Sequence, residues 1–167
     1  DIKSLFSKLN DIHLEFRPNH QVLELYLNGK NINKEIRELR VSNNVSIVAK
    51  QPEIRDFLLD FQRNLATKGG VIMDGRDIGT VILPNADFKF FVTASPVERA
   101  RRRHLQLQNA GTEVSYEEVF QNLITRDKID SERDVAPLKQ ADDAILIDNT
   151  FLNKEETIAL ILSYIEK

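Results

Sequence analysis

Val71-Ile72-Met73-Asp74-Gly75-Arg76-Asp77 joins an unbroken apolar run to a polar turn, and it decides how the rest of the chain is read. Three consecutive large apolar residues with no alternation predict a strand covered on both faces, as in a parallel sheet. Two further runs repeat the pattern, Phe88 to Val92 and Ala144 to Ile147. Between them lie two helix starts of the capping-box type, Ser95-Pro96-Val97-Glu98 and Ser115-Tyr116-Glu117-Glu118. Strands alternating with helices predict an α/β fold built on a parallel sheet with helices on both faces. The amphipathic segment from Lys154 to Glu166 closes it as a last helix.

Upstream of residue 71 the periods differ. Pro52 suits a first helical position, Ile54, Phe57, Leu58, Phe61 and Leu65 make one stripe, and Gly69-Gly70 can end the helix. Residues 38–50 place Val41, Val45 and Val48 at helical intervals. Ile12, Leu14 and Phe16 alternate with polar neighbours, Arg17-Pro18-Asn19-His20 breaks the run, and Leu23, Leu25 and Leu27 alternate up to Asn28-Gly29. This predicts a short antiparallel meander with an Asn-Gly hairpin. Leu5, Phe6 and Leu9 predict a helix in the first ten residues, the tail of an element begun earlier.

Composition narrows the function. With 167 residues, 41% of them hydrophobic, the chain has apolar material for one ordinary core and a small lobe. Its formal charge of −3 opposes a general nucleic-acid binder, so any basic site must be local. The absence of cysteine removes disulfides, thiolate zinc sites and a cysteine nucleophile, and His13, His20 and His104 are too scattered for a metal cluster. No apolar run reaches the roughly 18 residues of a membrane span, so the expectation is a soluble cytoplasmic protein that engages neither membrane nor nucleic acid.

Ligands of open parallel sheets sit beyond the carboxyl ends of the strands. Asp74, Arg76 and Asp77, spaced by a glycine that admits close approach, suit a phosphate with a metal ion or a polar base edge, or else a plain polar turn. Within the helix from Ser95, Arg99, Arg102 and Arg103 share one arc opposite Val97, Ala100, His104 and Leu107. That arc is a phosphate clamp or a solvated face, and His104 borders the core without being a ligand. Arg126, Asp130 and Arg133, at i, i+4 and i+7 on the helix from Ser115, place a carboxylate between two arginines aimed at a common anion, or form surface ion pairs. Arg55 lies off the apolar stripe of its helix and alone carries no meaning.

Taken together these stretches resemble the bacterial cytidylate kinases. The likeness rests on VIMDGRDIGTVILP from Val71 to Pro84, on ERARRRHLQLQNAG, on RDKIDSERDVAPL and on AILIDNT, and upstream on NGKNINKEIR and QPEIRDFLLDFQR. It spans essentially the whole chain. The resemblance implies a nucleoside monophosphate kinase sheet with a small three-stranded antiparallel insertion. Residues 1–10 would be a remnant helix of the kinase core and 11–37 the insertion, a lobe that binds the acceptor nucleotide. Residues 38–167 would form the core, with an arginine-rich lid around 99–133.

The same resemblance implies ATP-dependent phosphorylation of CMP or dCMP, with Mg2+, in pyrimidine nucleotide metabolism. Ser46, Arg55 and Asp77 match residues that hold cytosine, Arg76 one on the acceptor phosphate, Arg126 and Asp130 residues near the sugar, and Arg133 one facing the phosphates. Asp74 resembles a carboxylate that holds hydrated magnesium, and Arg102 and Arg103 the lid contacts to the triphosphate. Arg76, Arg102, Arg103, Arg126 and Arg133 would be the catalytic stabilisers of spread charge.

One part of the pattern is missing. No G-x-x-x-x-G-K-[ST] occurs, and Gly69-Gly70 is followed by Val71 instead of lysine and hydroxyl. The expectation is a carboxy-terminal fragment without the first strand and the phosphate-binding loop, inactive alone, with a gap between the strands expected at 71–74 and 88–92. A complete enzyme is expected to be a monomer, whereas a fragment could pair its sheet with another chain. Two other readings stand beside this one: a kinase for another acceptor such as UMP, and a non-catalytic module that holds nucleotides or acidic partners through its arginines.

Overall fold

The computed structural model describes residues 2–20 and 22–166 and, of Ile2 and Lys3, the backbone alone. Its elements are α1 (Ile2–Phe6), β1 (Leu14–Asn19), β2 (Val22–Leu27), β3 (Lys30–Asn31), α2 (Leu39–Ala49), α3 (Pro52–Ala66), β4 (Phe90–Thr93), α4 (Pro96–Asn109), α5 (Tyr116–Glu132), β5 (Ile145–Asp148) and α6 (Lys154–Ile165). The chain is thus α/β. Contacts divide it into two units, Asp1–Thr67 and Lys68–Lys167, so that α2 and α3 group with the small sheet. Among the described residues no helix is long and apolar enough to cross a membrane.

In the first unit the expected meander is present, antiparallel in the order β1-β2-β3. Leu27 pairs with Lys30, and Asn28 and Gly29 between them have φ of 49° and 78°. Two left-handed residues in succession make the primed turn whose twist suits a hairpin. Asn28 is fastened further, because its Oδ1 accepts from the His13 N–H and its Nδ2 donates to the Asp11 carbonyl. The expected break at Arg17-Pro18-Asn19-His20 comes later, since β1 runs through Asn19 and Pro18 pairs opposite Leu23. A proline is tolerated there because β1 is the edge of the sheet. Phe16 stacks on Phe61 of α3 at 6.1 Å, and Arg17 lies over the Tyr26 ring. The helices at 39–49 and 52–66 form as expected, with Pro52 in the first turn of α3. The amino-terminal helix is short, giving way to a 3-10 turn over Leu9–Asp11.

In the second unit β4 and β5 pair in parallel, Phe90 with Ile145 through Thr93 with Asp148, and α4 packs on α5 between them in sequence. Buried Ile82, Ala94, Ala100, Leu107, Val119 and Ile147 form the core, while Phe90 meets Tyr164 of α6 at 6.3 Å. Lys89, with a nearly buried side chain, donates to the Pro84 carbonyl and to both oxygens of Asp143, tying the approach to β4 to the approach to β5.

The strand expected at 71–73 does not form. Residues 71–74 have no ladder partner among the described residues, and Ile72 is fully exposed. An apolar run becomes a strand only where a neighbour takes its backbone hydrogen bonds, and a short run does not reveal whether one exists. The stripe of α4 is also shorter than expected, because Val97 in its first turn is 60% exposed and burial begins at Ala100.

The Asn28-Gly29 turn can be tested. Gly29→Ala places a Cβ at φ 78° with no steric contact around it, so any cost is conformational. The expected loss, measured by urea denaturation, is about 1–2 kcal/mol.

Candidate functional site

The turn after residue 74 is organised by its own backbone. The Asp77 carbonyl accepts from Val81 N–H at 2.9 Å and from Ile82 N–H at 3.3 Å, and the Ile78 carbonyl from Leu83 N–H at 2.7 Å. Ile78–Ile82 is therefore one π-helical turn, a geometry enriched at functional sites. Gly75 serves this turn. A Cβ there would lie 2.9 Å from Cγ1 of Ile78, so the space expected for a ligand holds a side chain of the same segment.

At the far end of α5 the geometry departs from a continuous helical face. The helix stops at Glu132, and Arg133 is its C-cap in an extended conformation with ψ 142°. It therefore does not sit on the helical arc with Arg126 and Asp130, and its direction comes from the loop that follows. That loop turns Arg133 inward. Its Nη2 reaches Asp77 Oδ1 at 3.4 Å, its Nη1 lies 3.9 Å from Asp130 Oδ1, and all three side chains are buried. Asp130 also accepts from Nε of Arg76 at 3.0 Å. The sequence positions 76, 77, 130 and 133 thus meet in one chain of alternating charge: Asp77, Arg133, Asp130, Arg76.

Arg126 stands beside this chain. Its Nε is buried without a hydrogen-bond partner. Burial pushes the guanidinium below its ordinary pKa range, and the charges of Arg76 and Arg103 push the same way against Asp130 and Asp127. A guanidinium keeps its proton at any ordinary pH, so the group stays charged here despite its burial. A buried donor without a partner is uncommon in folded proteins, which sets Arg126 apart from the arginines that are paired.

Other expected residues have different surroundings. Asp74 is exposed, and no cluster of three or more metal-type ligands exists among the described residues. Arg102 grips the loop after β5, donating to the Asn149 carbonyl at 2.8 Å, to Leu152 at 3.1 Å and to Asn149 Oδ1, and it pairs with Glu98 at 2.8 Å. Arg103 donates to Gln106. Arg99 joins Asp127 of α5 at 2.7 Å and the Ala94 carbonyl. His104 borders the core as expected, with Nε2 3.0 Å from the Val114 carbonyl. In the first unit, Ser46 is buried with its Oγ unpartnered, and Arg55 donates to the Ala49 carbonyl at 3.2 Å.

The capping boxes divide. Ser115 and Glu118 bond reciprocally, whereas Ser95 caps Glu98 N–H alone. The Glu98 carboxylate is drawn off by Arg101 and Arg102. Sequence reasoning also missed Asn149 and Asp127 as partners of the arginine helix. Both lie far from it along the chain, and no local period marks such a pairing.

Two predictions follow from these charges. Arg133→Leu leaves Asp77 and Asp130 buried without their shared cation, so denaturation is expected to show a loss of about 3–5 kcal/mol. Hydrogen bonding to Arg101, then to Arg102, holds the Glu98 carboxyl down at about 2 instead of its ordinary 4.5. Its pairing therefore contributes fully above pH 4.5 and is lost as the pH falls towards 2. A carboxyl-carbon NMR titration should find Glu98 ionised at about pH 4 in the parent. The midpoint should rise more in Arg101→Ala than in Arg102→Ala.

Known proteins carry the same segments. The cytidylate kinase family profile matches residues 1–167. A cytidylate kinase of Flavobacterium johnsoniae is 48% identical over 165 residues, covering 98% of this chain and 72% of that protein. One from an Exiguobacterium species is 46% identical over 167 residues, covering all of this chain and 75% of its own length. One from Clostridium perfringens is 51% identical over 144 residues, covering 86% of this chain and 66% of that protein. On these matches the protein belongs to the cytidylate kinase family of phosphotransferases.

Proposed function

We propose that this chain serves the ATP-dependent phosphorylation of CMP or dCMP, supplying the acceptor-binding and charge-stabilising residues of that reaction. The observation that carries the reading is the charge chain of buried Asp77, Arg133 and Asp130 with the exposed Arg76 at its end, and the unpartnered Nε of Arg126 beside it. A mononucleotide presents an anion, a sugar and a hydrogen-bonding base edge, and this cluster offers cations, carboxylates and a spare donor within one segment of fold.

The chemistry is in-line. An oxygen of the acceptor phosphate forms a bond to the γ-phosphorus of ATP while the bond to the β,γ-bridging oxygen breaks, giving the diphosphate and ADP. Negative charge spreads over the oxygens in transit, so the work left to the protein is positioning and neutralisation. Arg76 takes the acceptor phosphate, Arg126 and Asp130 the sugar region, and Arg133 the phosphates. Asp77 accepts from the exocyclic amino group of cytosine, where uracil carries a carbonyl. For Ser46 and Arg55 as further base contacts, and for Arg103 at the triphosphate, the support is the family resemblance. Arg102 is committed to the carbonyls after β5, which suits a brace for the arginine helix better than a mobile phosphate contact.

Mg2+, when bound, would supply positive charge against the donor phosphates. The residues present offer Asp74, a single exposed carboxylate, which suits contact through a bound water and not direct ligation, so no step depends on it here.

The base reading is tested by calorimetry with CMP and UMP. Asp77→Asn keeps the shape of the side chain but presents an amide that can donate, so preference for CMP should fall by about 1–3 kcal/mol, roughly 5- to 150-fold. An unchanged ratio rejects Asp77 as the base reader. Parent protein that prefers UMP identifies a different acceptor, and protein that binds neither nucleotide removes the proposal.

A further inference from the structure

Arg133 owes its direction to a residue that sequence patterns pass over. Its Nε donates to the Ala136 carbonyl at 2.7 Å, much closer than its guanidinium approaches either carboxylate. Ala136 has φ 50°, in the left-handed region that residues with a Cβ seldom occupy. Alanine lacks the local side-chain hydrogen bond that makes asparagine or aspartate tolerable there. Pro137 follows it and restricts its backbone further. A second bond closes the loop, from Leu138 N–H to the Asp130 carbonyl at 2.7 Å. The segment from 133 to 138 is therefore a short strap, anchored on the last turns of α5, whose strained residue points a carbonyl back at Arg133.

The consequence is geometric. A guanidinium held only by its Nη atoms swings about its long side chain, whereas a bond at Nε fixes the plane of the fork. We propose that Ala136 is a positioning residue, whose left-handed backbone aims Arg133 into the Asp77 and Asp130 carboxylates. The strain then buys orientation, as it does at other functional sites. The value of that orientation for nucleotide binding rests on the function proposed above; the orientation itself does not.

NMR of the full chain separates the two. The Nε–Hε signal of Arg133, assigned by its disappearance in Arg133→Lys, should exchange slowly with solvent in the parent. Ala136→Gly relieves the steric cost at φ 50° and should be at least as stable as the parent, with the signal still protected and CMP affinity within twofold. Ala136→Val, β-branched and poorly accommodated at positive φ, should speed that exchange at least tenfold and weaken CMP at least fivefold. An unprotected signal in the parent overturns the proposal without any variant. So does Ala136→Gly that is less stable than the parent, or Ala136→Val with exchange unchanged. If the valine variant does not fold, the parent and glycine measurements decide. Protection that follows the variants in a chain that binds no CMP sustains the positioning role and sinks the nucleotide reading.

Discussion

Everything at the site depends on one buried cation. Arg133 lies between Asp77, from the turn after residue 74, and Asp130, from the last turns of α5, two segments more than fifty residues apart. Burying a charge without its partner is costly, for a carboxylate and for an arginine alike. The three therefore hold one another in place. Arg76 extends the chain towards the surface through Asp130, with its own side chain 43% exposed. Charge is thus graded from a closed interior pair to an open, solvent-facing arginine within one network.

Around this network most charged side chains have structural work. Arg99 and Asp127 join α4 to α5, Arg102 joins α4 to the loop after β5, and Lys89 with Asp143 joins the approaches to β4 and β5. Arg126 is the contrast, half-buried with its Nε enclosed and short of a partner, and burial disfavours its charge. Which arginines brace other elements is invisible in the run Arg99-Ala100-Arg101-Arg102-Arg103, because it depends on what other elements bring to them.

Local signals in the sequence were reliable where physics is local. Asn28-Gly29 demands left-handed backbone and obtained it, Pro52 and Ser115 mark helix starts, and alternation at Leu14 and Phe16 gives a strand. They failed where a partner decides. Val71-Ile72-Met73 has the composition of a buried strand, but strand formation requires a neighbour that composition does not specify. Pro18 looked like a break and is an edge residue, a difference set by sheet order. Of the site, Arg76, Asp77, Arg126, Asp130 and Arg133 were all legible as candidates from spacing and resemblance. The helical arc was wrong for Arg133, since nothing before the fold shows α5 ending at Glu132. Ala136 had no signal, because its conformation is imposed by the strap and not by its own side chain.

The lysine before β4 has a chemical consequence of its own. An ammonium has three hydrogens, and three acceptor atoms surround Lys89: the Pro84 carbonyl oxygen and the two oxygens of Asp143. With its stem against Gly79 and its side chain only 8% exposed, the ammonium is committed to these acceptors inside the unit. A positive charge thus closes the entry to the parallel ladder, with Lys89 one residue before Phe90 and Asp143 two before Ile145, so the first rung of the sheet is fastened by an ion pair as well as by its own backbone.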